Sequence, residues 1–169
     1  MQSRPAVTEV LRVAARQHTR IRGLLHEVAL SSETDRTTTT GWLSHYLLLH
    51  VAAEQIALCR DPGVERVSPA PRGPLVGLAQ ALDLAEPDLH RRIATLEAAM
   101  LRHARAQERS VLPRMLWSWP LADLHHAVAA LEAADIVFDR GPVEPAATGT
   151  PAVDPWHAAV VIARRTLVA

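Results

Sequence analysis

Three of the nine histidines in this chain stand where a helix would normally carry apolar side chains. His18, His50 and His103 each lie on a stripe of Leu, Ile, Ala or Met residues at helical spacing. Glu54 follows His50 by four residues, so the two side chains project from one face of a helix and can reach one cation. A buried carboxylate is costly unless it is paired or bound to a metal. Imidazole with carboxylate suits iron, manganese or zinc, so the pattern favours a metal site.

The acidic residue that would follow His103 stands at an unusual spacing. Gln107, at i+4, lies on the His103 face, but an amide is a weak neutral ligand. Glu108, at i+5, is a better ligand, yet a regular helix points it about 140° away from His103. A one-residue π-bulge would turn Glu108 inward. Two alternatives stay open: a π-bulge with a site for two metals, or a regular helix with at most one metal.

Ordinary structural roles offer a second interpretation of the same residues. A buried histidine is commonly a core residue bonded to a backbone carbonyl or to water. His50 and Glu54 could form a polar pair on a helix face, and Glu108 stands among arginines as a solvated glutamate would. Tyr46, one turn before His50, fits a plain core tyrosine better than a site residue.

Helices must position these residues. Periodicity predicts core helices over 7–30, from within 31–42 to about 59, from Pro87 (capped near Glu86) to about Pro113, and over 121–138. A Pro/Gly-rich connection occupies 61–74 and a short helix follows over 75–84. We expect an all-α, antiparallel four-helix bundle over 1–140 with short accessory helices. A Pro-rich tail over 141–169 should be extended, with a short helix from Trp156 to Val168.

Composition excludes several other classes of protein. The formal net charge is zero, so no nucleic acid or acidic membrane is expected to be held by bulk charge. Cys59 is the only cysteine, which excludes an internal disulfide or a CxxC zinc site, and we expect it to be a small buried hydrophobe. No signal-peptide pattern and no run of about 20 apolar residues is present. A soluble, cytoplasmic protein is therefore expected.

Three segments of the chain resemble the helix motifs of the hemerythrin-like (HHE cation-binding) family. They are ARQHTRIRGLLHEV, LLLHVAAEQIAL and LRHARAQERSVLPRML, in the family's order, and the resemblance covers about residues 6–140. It implies metal-ligand roles for His18, His50, Glu54, His103 and Glu108. It also implies that Glu54 and Glu108 bridge two iron ions.

The third helix of the family supplies further histidines, and this chain departs from the family there. They are expected near 71–76, where the sequence reads PRGPLV. His90 is the nearest histidine, but along one helix it lies about 20 Å from His103, at 1.5 Å per residue, so the two cannot share a metal. We expect His90 to face solvent. The sequence pattern supplies enough ligands for one metal but few for a second. A mononuclear site, an asymmetric site and a site that has lost its metal all remain open as alternatives.

The resemblance implies a non-haem iron protein, mononuclear or dinuclear, that handles a small oxidant such as O2, peroxide or NO. Open coordination positions would also permit a small oxidase activity. One alternative is a metal-free bundle that serves as a binding module. Another is a haem bundle with two core histidines as axial ligands; because no CxxCH motif is present, such a haem would be non-covalent.

Overall fold

The computed structural model describes residues 4–58, 75 and 88–139, and the regular structure in these ranges is entirely helical, without strands. Four helices are long and one is short: α1 (Arg4–Leu30), α2 (Glu33–Leu58), α3 (Leu89–Ala106), α4 (Leu112–Leu116) and α5 (Leu121–Asp139). A π-helical segment, Gln107–Val111, joins α3 to α4. The predicted all-α class is confirmed. The predictions for Cys59, the 61–74 connection, the cap at Glu86, residues 76–84 and the tail lie outside the described residues.

The start of α2 follows from capping. The backbone N–H of Asp35 donates to the Ser32 hydroxyl at 3.3 Å, and Glu33 and Asp35 place negative charge in the first turn, where the helix dipole favours it. The threonine run then continues as helix, with the Thr39 hydroxyl bonded to the Asp35 carbonyl at 3.2 Å. The helix therefore begins within the predicted window.

The predicted helix end near Pro113 is wrong, because the helical path continues to Leu116. In the π-helical segment the Leu112 N–H donates to the Gln107 carbonyl, five residues back. Pro113 comes directly afterwards, in the first turn of α4, where a missing N–H and a fixed φ are tolerated. The widened turn thus lets the chain carry a proline without stopping.

The core lies where α1 meets α2, α3 and α5, and α2 also packs against α5. Fully buried Leu, Ile, Met and Ala side chains fill it, among them Ile21, Leu43, Leu47, Leu96, Met100, Leu124 and Ala134. Leu75, from the predicted short helix, is also buried. None of the described helices is long and apolar enough to cross a membrane.

Candidate metal centre

Four of the predicted site residues meet at one point in this core. His18 of α1, His50 and Glu54 of α2, and His103 of α3 each offer a ligand atom, and these atoms all lie within 4.8 Å of one another. Glu54 is central: its Oε1 is 3.7 Å from Nε2 of His18 and 3.6 Å from Nε2 of His50. Its Oε2 is 3.1 Å from Nε2 of His103. Three helices therefore converge on one carboxylate.

The ligand atoms of this group are buried and lack hydrogen-bond partners among the described residues. His50 is 0% exposed, His18 2% and Glu54 7%. The three Nε2 atoms and Glu54 Oε1 form no hydrogen bond, and the 3.1 Å approach of His103 to Glu54 lacks hydrogen-bond geometry. Leaving several buried polar atoms unsatisfied is costly. One cation shared by the four residues would satisfy all of them.

The outer nitrogens of two of these histidines are held by acceptors. Nδ1 of His18 lies 2.7 Å from Oε1 of Glu108, and Nδ1 of His50 lies 3.0 Å from Oε1 of Gln17. A neutral imidazole has one N–H and one lone pair, so an acceptor at Nδ1 assigns the proton there. The Nε2 lone pairs of both rings then face Glu54, which is the form that binds a metal.

Electrostatics favour the neutral ring of His50 and the ionised carboxylate of Glu54, whereas the two carboxylates beside His18 favour its charged form in the absence of a metal. Burial lowers the pKa of His50 to about 4, so this ring is neutral at pH 7. Burial opposes ionisation of Glu54, but its interactions with His50, His103 and His18 outweigh that effect and hold its pKa well below the usual value. Burial also opposes charge on His18, yet contacts with Glu54 and Glu108 raise its pKa overall. The group thus carries an ionised carboxylate between the rings.

The spacing of the group is close to, and slightly wider than, that of ligands around one ion. Separations from Glu54 to the three rings run from 3.1 to 3.7 Å. Bonds of about 2.0–2.2 Å to nitrogen and oxygen place neighbouring ligand atoms about 3.0–3.5 Å apart around a single cation. Within the part of the chain that the structure describes, no second group of three or more His, Cys, Asp or Glu residues has ligand geometry.

Glu108, the fifth predicted ligand, is not brought into this group. The π-helical segment that could turn it inward is present, beginning at Gln107, so the alternative of a regular helix is wrong, while the number of metals stays a prediction. Glu108 nevertheless contacts the outer nitrogen of His18, and its side chain remains 38% exposed. Gln107 instead has a buried Oε1 with no partner among the described residues. His90 is exposed in the first turn of α3, as predicted.

Sequence reasoning missed Gln17. It is 0% exposed, and its Nε2 donates to the Leu131 carbonyl at 2.5 Å while its Oε1 accepts from His50. Gln17 stands on an apolar row of α1 with Ala14 and Ile21, at i−3 and i+4. The presence of a polar residue in that apolar row was the feature of the sequence that could have identified Gln17.

Asp135 was missed as well. Its carboxylate accepts from the Tyr46 hydroxyl and from Arg16 at 2.8 Å. Burial and the neighbouring Asp135 raise the pKa of Tyr46, so the phenol stays protonated and donates. Asp135 shares an α5 row with Leu131 and Phe138, where an acidic residue needs a partner.

A small, partly enclosed cavity lies beside Glu54. It measures about 10 Å³ and is otherwise lined by apolar residues: Val10, Ala14, Ala57, Leu112, Ala127 and Leu131. A space of this size holds about one water-sized molecule. Glu54 is the one lining residue with a charged side chain, so this apolar cavity borders the candidate centre at Glu54.

Comparison with protein-family models, with curated proteins and with solved structures finds no match for this chain.

Proposed function

We propose that this chain is a hemerythrin-like, antiparallel four-helix bundle that holds a single non-haem iron ion and binds a small oxidant such as O2, peroxide or NO. One observation carries the proposal: four buried ligand atoms from three helices lie within 4.8 Å of one another, and those at the centre have no hydrogen-bond partner in the described residues. A core that was only structural would leave these atoms paired.

His18, His50, His103 and Glu54 would hold the ion. When bound, iron supplies a redox-active Lewis acid. Three neutral imidazoles and one carboxylate are fewer ligands than iron accepts, so coordination positions remain for a small molecule. Glu108 and Gln17 hold the rings of His18 and His50 in their metal-binding form. Because Glu108 contacts the outer face of His18 and no second ligand group is found among the described residues, one ion is favoured over two.

The apolar cavity supports a small, uncharged ligand. Its walls are five aliphatic side chains of α1, α2 and α5 with Leu112 of α4, and it reaches Glu54. An apolar compartment of this kind favours O2 or NO over a charged substrate. Its size argues against a large organic molecule beside Glu54.

The test is metal analysis of protein purified without a polyhistidine tag and reconstituted without oxygen with Fe²⁺, Mn²⁺ or Zn²⁺. We expect about one iron per chain and loss of most of it in Glu54→Gln, in His50→Ala and in the double variant, with helicity retained by circular dichroism. His126→Ala is the matched control, because His126 is exposed on α5, and it should keep its iron.

Three results would overturn the proposal. A double variant that retains its full metal content would place the site elsewhere. An unmodified protein that takes up no metal would favour the metal-free binding module. A Soret band in the absorbance spectrum would favour a haem bundle.

A further inference from the structure

Gln17 is a buried amide whose two ends are both engaged. It immediately precedes His18 in α1, but successive helical residues point about 100° apart, so the two side chains reach different partners. The Gln17 amide lies between α2, where it meets His50, and α5, where it meets the carbonyl of Leu131. A fully buried amide is retained at a cost unless its hydrogen bonds are made.

The orientation of this amide is fixed by the backbone. A carbonyl oxygen can only accept a hydrogen bond, so Gln17 must present its NH2 to Leu131 and its oxygen to His50. That oxygen can only accept, so His50 must present Nδ1–H to it. The lone pair of His50 is then left on Nε2, 3.6 Å from Oε1 of Glu54.

We propose that Gln17 is a positioning residue of the centre. The Leu131 carbonyl of α5 orients its amide, and the amide oxygen holds the His50 ring in the tautomer that binds a metal. The other tautomer would aim an N–H at the ligand group and leave the Gln17 oxygen facing a lone pair. Metal binding itself rests on the proposed function above, but the tautomer is a property of the metal-free chain.

Gln17 differs from Glu108, which contacts His18 in the same way. Glu108 has a side chain 38% exposed and can exchange its partner for water, whereas Gln17 is 0% exposed and is fixed at both ends. The contact that orients His50 is therefore fully buried, whereas the contact that orients His18 is partly open to solvent.

The first experiment is nitrogen-15 NMR of the histidine rings in the full-length, metal-free protein at pH 7.5. We expect His50 to show a protonated Nδ1 and an unprotonated Nε2. In Gln17→Met, which keeps the volume and removes both hydrogen bonds, this preference should be lost. In Gln17→Glu the acceptor for His50 is retained, so the Nδ1–H tautomer should persist.

The second experiment is competition of the same proteins with a chelator for Fe²⁺. Loss of such outer partners lowers metal affinity about 10–100-fold, and we expect a fall of this size in Gln17→Met with most of the affinity retained in Gln17→Glu. Ile21→Val is the control, because Ile21 is buried one turn further along α1. It should change neither the tautomer nor the affinity.

An Nε2–H tautomer of His50 in the unmodified chain would overturn the proposal. So would a Gln17→Met protein with unchanged tautomer and affinity. If Gln17→Met does not fold, the unmodified chain and Gln17→Glu decide the matter, and loss of the Nδ1–H signal in Gln17→Glu counts against it. If no metal binds at all, the proposed function fails while the NMR result still tests Gln17.

Discussion

His18 lies between two carboxylates, with Nδ1 2.7 Å from Oε1 of Glu108 and Nε2 3.7 Å from Oε1 of Glu54. A carboxylate on the outer nitrogen of a metal-binding histidine fixes its tautomer and raises its basicity. In this arrangement Glu108 supports a ligand without being one, and the predictions that follow depend on that distinction.

Replacing Glu108 should weaken the centre without changing its stoichiometry. We expect Glu108→Ala to lower iron affinity about 10–100-fold and Glu108→Gln to lower it less, because an amide oxygen still accepts from Nδ1. Both variants should still bind one ion at saturation, measured by chelator competition and metal analysis. Glu97→Ala, at an exposed position of α3, is the control. A drop in stoichiometry in Glu108→Ala would instead make Glu108 a ligand.

Gln107→Glu should change stability in opposite directions in the metal-free and the metal-bound protein. The Oε1 of Gln107 is buried without a partner among the described residues, so Gln107→Glu would bury a charge there. Without metal this variant should be less stable to urea than the unmodified protein. With metal it should regain stability and bind iron more tightly, because the carboxylate gains a cation.

The matched variant is Gln107→Met, which has similar size and no acceptor. Removing an unsatisfied buried acceptor should leave the metal-free stability unchanged or raise it by up to about 1–3 kcal/mol. If metal raises the stability of Gln107→Glu by no more than it raises that of the unmodified protein, residue 107 does not face the centre.

Tyr46 should contribute to stability through Asp135. Tyr46→Phe removes a hydrogen bond to a carboxylate whose side chain is only 13% exposed, and such charged hydrogen bonds are worth about 1.5–3 kcal/mol. Arg16 still pairs with Asp135, so we expect the lower end of that range in urea unfolding. Arg12→Ala breaks an exposed pair with Glu9 and should cost clearly less than Tyr46→Phe, because exposed ion pairs contribute little to stability. Equal losses in the two variants would contradict this assignment.

The cavity should govern access of a small ligand to the centre. Leu112→Ala enlarges it, so NO should bind faster to the reduced, iron-loaded protein in stopped-flow measurements. Leu116→Ala is the control, because Leu116 is fully buried but does not line the cavity. Both substitutions should cost about 2–5 kcal/mol. The same change of rate in both would attribute the effect to general loosening.

The positions along each helix could be predicted from sequence, because burial follows the helical repeat. His18 and His50 stand on apolar stripes, and both are buried. The ends of α5 were also predictable within a residue, since Leu121 follows Pro120 and the apolar pattern stops near Phe138. Such features depend only on neighbours within one helix.

Relations between helices could not be predicted in the same way. The contact of Gln17 with His50 depends on how far α1 is rotated relative to α2, and a stripe of apolar residues tolerates several rotations. The extent of the π-helical segment is a second case, because a single insertion changes which of Gln107 and Glu108 points inward. The spacing left open which of the two residues points into the site. The position of the Glu108 side chain depends on how this segment packs against α1.

The last prediction concerns acid and the metal-free protein. His50 has a pKa of about 4 in the folded chain because it is buried, against 6.5 when it is exposed. Between these values the unfolded chain binds more protons than the folded one, so stability falls as pH decreases. The contribution of His50 is fully present above pH 6.5 and is lost by pH 4, a change of about 3 kcal/mol at 1.36 kcal/mol per pKa unit.

His18 acts in the opposite sense, because its pKa is raised: its contribution is present below pH 6.5 and lost as pH rises through its folded value. Comparison with His50→Gln separates the two effects, since His18 remains in both proteins. In urea unfolding at pH 7.5, 6 and 5, we expect the unmodified protein to lose more stability than His50→Gln, and His126→Gln to follow the unmodified protein. Parallel curves for the unmodified protein and His50→Gln would mean that His50 is not held neutral, and the ready-formed lone pair on which metal binding depends would be absent.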